Sequence, residues 1–224
     1  MDFLLGLMAV LLSYLIGSIP FGLLIVWLST GKDIRKVESG RTGGTNAMRA
    51  AGFLAGAGTT VMDFMKGMAA VWLARWLVPA DSTWLVWFEV FAPLAAILGH
   101  NYSIFLAERN EKGQLRLRGG AGGATAVGGA AGLWWPSMFI VVPVGLLVLF
   151  GIGYASVATM SIAVVATIIF IILALSGASP WAYVLYGILA EVILIIALRP
   201  NIIRLMNGTE RLVGWRARRH KVSK

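Results

Sequence analysis

The residues with the clearest chemical potential in this chain lie in Ser39-Gly40-Arg41-Thr42-Gly43-Gly44-Thr45-Asn46-Ala47-Met48-Arg49. Glycines free a backbone to turn its N–H groups toward an anion. Ser39, Thr45 and the Asn46 amide add neutral hydrogen bonds, and Arg41 and Arg49 add charge-assisted ones. The soluble nucleotide-binding version of such a loop ends in Gly-Lys-Ser/Thr, which is absent. A plain glycine-rich turn with solvated arginines beside a membrane would have the same composition, so the loop alone does not decide between the two. Two further segments repeat the theme. Arg116-Leu117-Arg118-Gly119-Gly120-Ala121-Gly122-Gly123-Ala124-Thr125 is a basic, glycine-rich lead into a helix, whose N-terminus offers free N–H groups and partial positive charge. In Arg199-Pro200-Asn201-Ile202-Ile203-Arg204, Pro200 suits a helix start and places Asn201 and Arg204 one turn apart on one face. The chemistry these segments suit is the binding of phosphate-like anions.

The elements that must position them are membrane helices. With 58% hydrophobic and 13% charged residues, the chain lies far from the soluble pattern of about 45–50% and 25%. A bilayer needs about 20 apolar residues per helix, which predicts an all-α polytopic protein of about seven spans near 3–29, 52–78, 84–106, 121–135, 137–153, 155–176 and 181–198. The fourth is dominated by Gly and Ala and is short, so a partial or broken helix held inside the bundle is expected there. Except for Lys66 and Arg75, every Lys and Arg falls in the segments after the first and third spans or after the last. The positive-inside rule makes those segments cytoplasmic, with the N-terminus outside and the C-terminus inside. The chain reads as one integral membrane domain, 1–224, with a basic cytoplasmic tail at 211–224 that rests on anionic headgroups or simply flanks the last span. The net charge of +9 is a membrane signal, since no nucleic-acid-binding pattern accompanies it.

The remaining polar groups are few. Asp63 and Lys66 share a helix face and suit a buried pair that fixes helix rotation, with orientation of the glycine loop as the functional alternative. Glu89 and Glu191 stand alone in apolar runs. His100, in Gly99-His100-Asn101-Tyr102-Ser103, reads as a hydrogen-bonded structural or substrate-orienting residue. A general base would want an orienting carboxylate, and the His-x4-Asp pattern of one acyltransferase class is broken by Phe105. Most Trp residues fall near span ends as interfacial anchors. No cysteine is present, the carboxylates are scattered, and no metal or cofactor is expected.

Taken in order, Ser-Gly-x-x-Gly-Gly-Thr-Asn-x-x-Arg, Gly-His-x-Tyr-Ser-x-Phe, Gly-Gly-x-Gly-x-Ala-Thr and Asn-Ile-x-Arg-Leu-x-x-Gly-x-Glu make the chain resemble the PlsY family of bacterial acyl-phosphate:glycerol-3-phosphate acyltransferases. The likeness extends from Gly17 to Glu210 and includes Asp63 to Gly67 and Tyr154 to Thr159. It implies seven spans in the bacterial inner membrane. It also implies a cytoplasmic-face site where glycerol 3-phosphate attacks an acyl phosphate to give lysophosphatidic acid and phosphate, with the acyl phosphate's own oxygens accepting the proton. By position, the resemblance implies phosphate-pocket roles for Ser39, Thr45, Asn46, Arg49, Ser156, Asn201 and Arg204, and backbone-cradle roles for Gly43, Gly44, Gly119, Gly120 and Gly122.

Two departures bear on activity. Ala121 stands where the family usually has Lys, and Leu198 where it has His. Arg41, Arg116 or Arg118 is expected to replace the lost charge, with Lys66 and His100 as supporting groups. The alternatives are a non-catalytic relative that binds a phosphate-bearing lipid or metabolite, and a small anion transporter. The transporter would call for inverted repeats that the sequence lacks.

Overall fold

The computed structural model describes residues 1–109 and 113–213; the tip of the third connection and most of the expected basic tail lie outside them. The first apolar run forms two helices, α1 (Asp2–Ser18) and α2 (Phe21–Thr30), because Pro20 has no N–H to continue the ladder. The first connection folds into a 3-10 turn at Ile34–Lys36 and a short helix, α3 (Gly44–Ala51). Then follow α4 (Phe53–Leu77), α5 (Leu85–Asn101), α6 (Gly123–Leu133), α7 (Met138–Ile152), α8 (Ala155–Leu175) and α9 (Ala182–Met206).

Two expectations need correction. The third apolar run stops being helical at Asn101. Ser103–Arg109 (β1) pairs antiparallel with Leu115–Arg118 (β2), so the helical protein carries one two-stranded hairpin. The chain turns there because Ser103 Oγ donates to the Ser18 carbonyl at 2.6 Å, which pins the residue after the helix to the end of α1. Second, Pro200 does not start a helix. It lies inside α9, where its ring denies the Ile196 carbonyl a donor and loosens the turn.

Eleven-residue α6 forms the centre, and ten of its residues are buried. It packs between α4, α5, α8 and α9. Its approach to α4 is backbone to backbone: a methyl on Gly128 would strike the Phe64 carbonyl, and one on Gly67 the Thr125 carbonyl. Tyr186 on α9 donates to the Ala126 carbonyl at 2.7 Å. The far end of α6 is capped by Arg75, which donates to Gly132 O at 2.9 Å and pairs with Glu89 at 2.6 Å. Tyr183 completes the group with a 2.7 Å bond to Glu89. Glu89 therefore has partners on two other helices, whereas Glu191 Oε2 is buried and has none among the described residues. Around this polar interior the outer helix faces expose Leu, Ile, Phe and Trp, and Trp27, Trp76, Trp84, Trp135 and Trp181 near helix ends are among the exposed residues, as lipid contact requires.

Candidate phosphate site at one end of the bundle

Three connections far apart in sequence meet at one end of the bundle. Arg41 is the tie. One of its terminal nitrogens donates to Ala197 O at 2.7 Å and Asn201 Oδ1 at 2.9 Å, and the other reaches Gly120 O at 3.4 Å. Pro200 leaves the neighbouring Ile196 carbonyl without its helical donor, and Arg41 binds the Ala197 carbonyl one residue further on. Thr42 N also donates to Gly119 O at 3.3 Å. Burial pulls the Arg41 guanidinium below its ordinary pKa, and nearby Arg204 adds to the effect while Glu210 opposes it.

Glu210 organises the other half. It accepts from Asn201 Nδ2 at 2.7 Å, from Arg204 Nε at 2.9 Å and from Ser156 Oγ at 3.4 Å. The chain after α9 doubles back to place it there: Val213 N donates to Gly153 O at 2.8 Å, and Leu212 bridges to Tyr154. Arg49 is exposed and within electrostatic reach of Glu38, Arg211 and Glu210. It makes no hydrogen bond among the described residues, and burial of its stem holds its pKa below the ordinary value. Arg41, Arg49 and Arg204 thus supply positive charge around one carboxylate, an arrangement with charge left over for an anion.

The glycine turn lies against α5. Gly120 N donates to His100 O at 2.9 Å, and a methyl at Gly120 would land on the His100 ring. Gly122 adopts φ +84°, a left-handed conformation that favours glycine, and it releases the chain into α6. Under the turn, Lys66 Nζ lies 3.0 Å from Asp63 and 3.1 Å from His100 Nδ1, and it donates to the carbonyls of Gly17 and Ile19, both at 2.9 Å. This buried group joins α4 and α5 to the break between α1 and α2. Its charges face one another rather than the surface.

The other expected residues fall as follows. Gly43 caps α3, and Gly44 packs so closely on α4 that a methyl would strike Thr60. Thr45 lies half-buried in the first turn of α3, and Ser39 is exposed with Oγ 3.4 Å from Arg41 N. Asn46 departs from its expected role: its Nδ2 donates to the carbonyls of Ile34, Val37 and Arg41 at 3.2, 3.0 and 2.8 Å. The amide that was to face an anion instead clamps the loop. Arg118 is taken up by Glu108 at 2.6 Å on the hairpin, and Arg116 is exposed there. Of the three candidates to replace the charge lost at Ala121, only Arg41 touches the glycine turn. Among the described residues no group of three His, Asp or Glu side chains could hold a metal. An apolar cavity of about 600 Å³ runs between α1, α5 and α9, from Phe3, Leu7 and Trp84 at the opposite end of the bundle to Leu98, one turn before the end of α5.

Residues 7–208 match the family model described as glycerol-3-phosphate acyltransferase. The chain belongs to that family. Among curated relatives, the glycerol-3-phosphate acyltransferase of Rubrobacter xylanophilus is 38% identical over 221 residues, covering 96% of this chain and 98% of that one. The Mesorhizobium japonicum protein of the same name is 34% identical over 208 residues, with 93% and 96% covered. Among solved structures, PlsY, an integral membrane glycerol 3-phosphate acyltransferase, superposes in its glycerol 3-phosphate form with a TM-score of 0.77 at 32% identity, covering 93% of this chain and 96% of PlsY. Its lysophosphatidic acid form gives 0.74 at 30% identity. This chain is accordingly a polytopic membrane protein of the PlsY family, built on several long apolar helices. One residue that sequence reasoning left without a role is Glu210. The available signal was a lone acid six residues after Arg204 in a basic segment.

Proposed function

We infer that the protein transfers a fatty acyl group from acyl phosphate to the 1-hydroxyl of glycerol 3-phosphate, giving lysophosphatidic acid and inorganic phosphate. Family membership supports the reaction. The observation that carries the site is the meeting of Arg41, Asn201, Arg204 and the Gly119–Gly122 turn, toward which an apolar cavity extends from the other end of the bundle as far as Leu98. Both substrates bear phosphate, and one bears a chain that needs an apolar bed. In the transfer, the glycerol oxygen forms a bond to the acyl carbonyl carbon, the bond from that carbon to the phosphate oxygen breaks, and the hydroxyl proton passes to the departing phosphate. His100 is not placed as the base, because Lys66 and Asp63 occupy its Nδ1 side and the Gly120 backbone covers the other. The chain's own contribution is to hold two anions in line and steady the leaving phosphate. Such positioning is worth roughly 7–11 kcal/mol in favourable cases.

The site residues are Arg41, Arg49, Asn201 and Arg204 with Ser39, Thr45 and Ser156 at the rim. Gly43, Gly44, Gly119 and Gly122 are the backbone cradle; Gly120, expected among them, donates its N–H to the His100 carbonyl and so ties the turn to α5, and Glu210 and Asn46 hold the others in place. The membrane is the bacterial inner membrane. It is crossed seven times, counting α1 with α2 as one passage and α6 as a partial one, since 11 residues reach only about 16 Å. The site faces the cytoplasm, and the chain forms one domain. The test is to incubate purified protein with an acyl phosphate and labelled glycerol 3-phosphate and to follow lysophosphatidic acid. Turnover that collapses in Arg49→Ala is the expected result. Binding of glycerol 3-phosphate without turnover would leave a non-catalytic relative, the reading that Ala121 and Leu198 favour.

A further inference from the structure

Asn101 fulfils no visible structural task among the described residues; Thr125 in the first turn of α6 also has a buried, unpaired Oγ1, but Asn101 leaves both of its side-chain polar atoms unpaired. It ends α5, is only 4% exposed, and neither its Nδ2 nor its Oδ1 has a hydrogen-bond partner among the described residues. Asn46 shows what a structural amide does in the same protein: its Nδ2 satisfies three carbonyls. The Asn101 amide is instead aimed at the glycine turn. Its Oδ1 lies 2.7 Å from the point where a Cβ on Gly122 would sit, with Ile97 and Leu194 as the other neighbours there. Its backbone oxygen stands 2.6 Å from the equivalent point on Gly119. The turn over it carries no side chain larger than the Ala121 methyl. A buried polar group left unpaired is costly, and native proteins keep one where something else satisfies it.

We propose that Asn101 is a substrate-binding residue: with its amide turned over so that Nδ2 takes the place Oδ1 holds against the turn, it donates to an oxygen of a phosphate group seated on Gly119–Gly122. The proposal rests on the reading of that turn as a phosphate cradle. It gives the site a neutral donor on the inner side of the turn, where Ala121 supplies none and the buried Leu194 and Leu198 line the facing side of α9. The ligand chemistry is a phosphate monoester or acyl phosphate, and the two are separated by which Michaelis constant responds.

The experiment compares Asn101→Leu, Asn101→Ala and Asn101→Asp with the parent and with Arg204→Ala, in kinetics with each substrate varied, in calorimetric binding of glycerol 3-phosphate and inorganic phosphate, and in thermal unfolding. Asn101→Leu removes two unpaired polar atoms at similar volume, so its unfolding midpoint should stay level or rise. Its KM for one of the two substrates should nevertheless rise about tenfold or more, with a smaller change in kcat. Asn101→Asp should be worse, because a carboxylate would face the phosphate. A response in the glycerol 3-phosphate KM assigns the donor to that substrate, and one in the acyl phosphate KM assigns it to the leaving phosphate. If Asn101→Leu and Asn101→Ala keep both constants and kcat within twofold while Arg204→Ala loses activity, the proposal is overturned and the acyltransferase reading stands. If the parent binds phosphate without turnover, the acyltransferase reading fails. The calorimetry then decides for Asn101 by retention or loss of binding in Asn101→Leu.

Discussion

Whether Arg41 stands in for the family's lysine can be measured as a coupling between positions 41 and 121. Arg41 makes two short contacts, at 2.7 Å to Ala197 O and 2.9 Å to Asn201 Oδ1, and a long one of 3.4 Å to Gly120 O. Counting only the two short ones at the low end for charged groups, Arg41→Ala should cost about 3 kcal/mol, roughly 100-fold in kcat/KM. Arg41→Lys keeps the charge but not the planar fork that reaches both α9 and the turn, so about a tenfold loss is expected. Ala121→Lys alone should bring no gain. Its ammonium would enter a region where Arg204 already opposes the charge on Arg41, and a loss of up to about fivefold is the natural result of like charges. In the Arg41→Ala background the same substitution should recover at least tenfold, because a cation returns to the turn. The cycle would then show a coupling of about 1.4 kcal/mol or more. The assay is initial-rate formation of lysophosphatidic acid in detergent or lipid discs, with glycerol 3-phosphate varied at saturating acyl phosphate. If the two substitutions add within about 0.5 kcal/mol, the two positions do not share a task and the replacement argument is wrong.

Four other outcomes are expected. Glu210→Gln should lower kcat/KM by about 10- to 100-fold by removing the charged partner of Arg204, and Glu210→Asp should do less harm; equal activity in all three would mean that Arg204 is not held by this contact. Asn46→Ala loses three donor contacts and should destabilise the loop by about 1.5–4 kcal/mol, read as faster proteolysis of the first connection or a lower thermal midpoint. Ala95→Trp in the apolar cavity should shift preference toward shorter acyl phosphates if the fatty chain lies there, while an unchanged chain-length profile would move the chain elsewhere. Arg35 holds the Asp33 carboxyl below its ordinary 3.8 through a direct hydrogen bond. The stabilisation is therefore complete above that value and is lost as pH falls through the lowered one, so Asp33→Asn should cost up to about 1 kcal/mol near pH 7 and progressively less as pH falls below 3.8.

The helices and the three convergent connections were legible because each is written locally. Apolar runs of membrane length, basic flanks and glycine clusters need no knowledge of the rest of the chain. The hairpin was missed because Ile104, Phe105 and Leu106 extend the apolar run past Asn101, and hydropathy alone cannot see that Ser103 is tied to Ser18, 85 residues away. Pro200 was misjudged for a related reason. A proline reads as a helix start when only its neighbours are seen, and the packing that carries α9 through it, including the bond from Arg41 to the Ala197 carbonyl 156 residues away, is tertiary. The role of Asn46 was misread for the opposite reason: an amide in a glycine loop suits an anion, but it suits three nearby carbonyls equally well.

The same logic explains why the acids were opaque. Glu89, Glu191 and Glu210 look alike in sequence as isolated carboxylates, and only tertiary structure separates them. Glu89 meets Arg75 and Tyr183 and so fixes the far end of α6, while Glu210 meets Asn201, Arg204 and Ser156 and so fixes the site. These two ion-paired clusters lie at opposite ends of the bundle with the 11-residue α6 between them. That helix is too short to be held by lipid on both sides, so its axial position depends on Arg75 at its C-terminus and on the contacts of its glycine lead at its N-terminus. The phosphate cradle proposed at the start of this half-length helix is therefore only as well placed as the cap at the helix's other end.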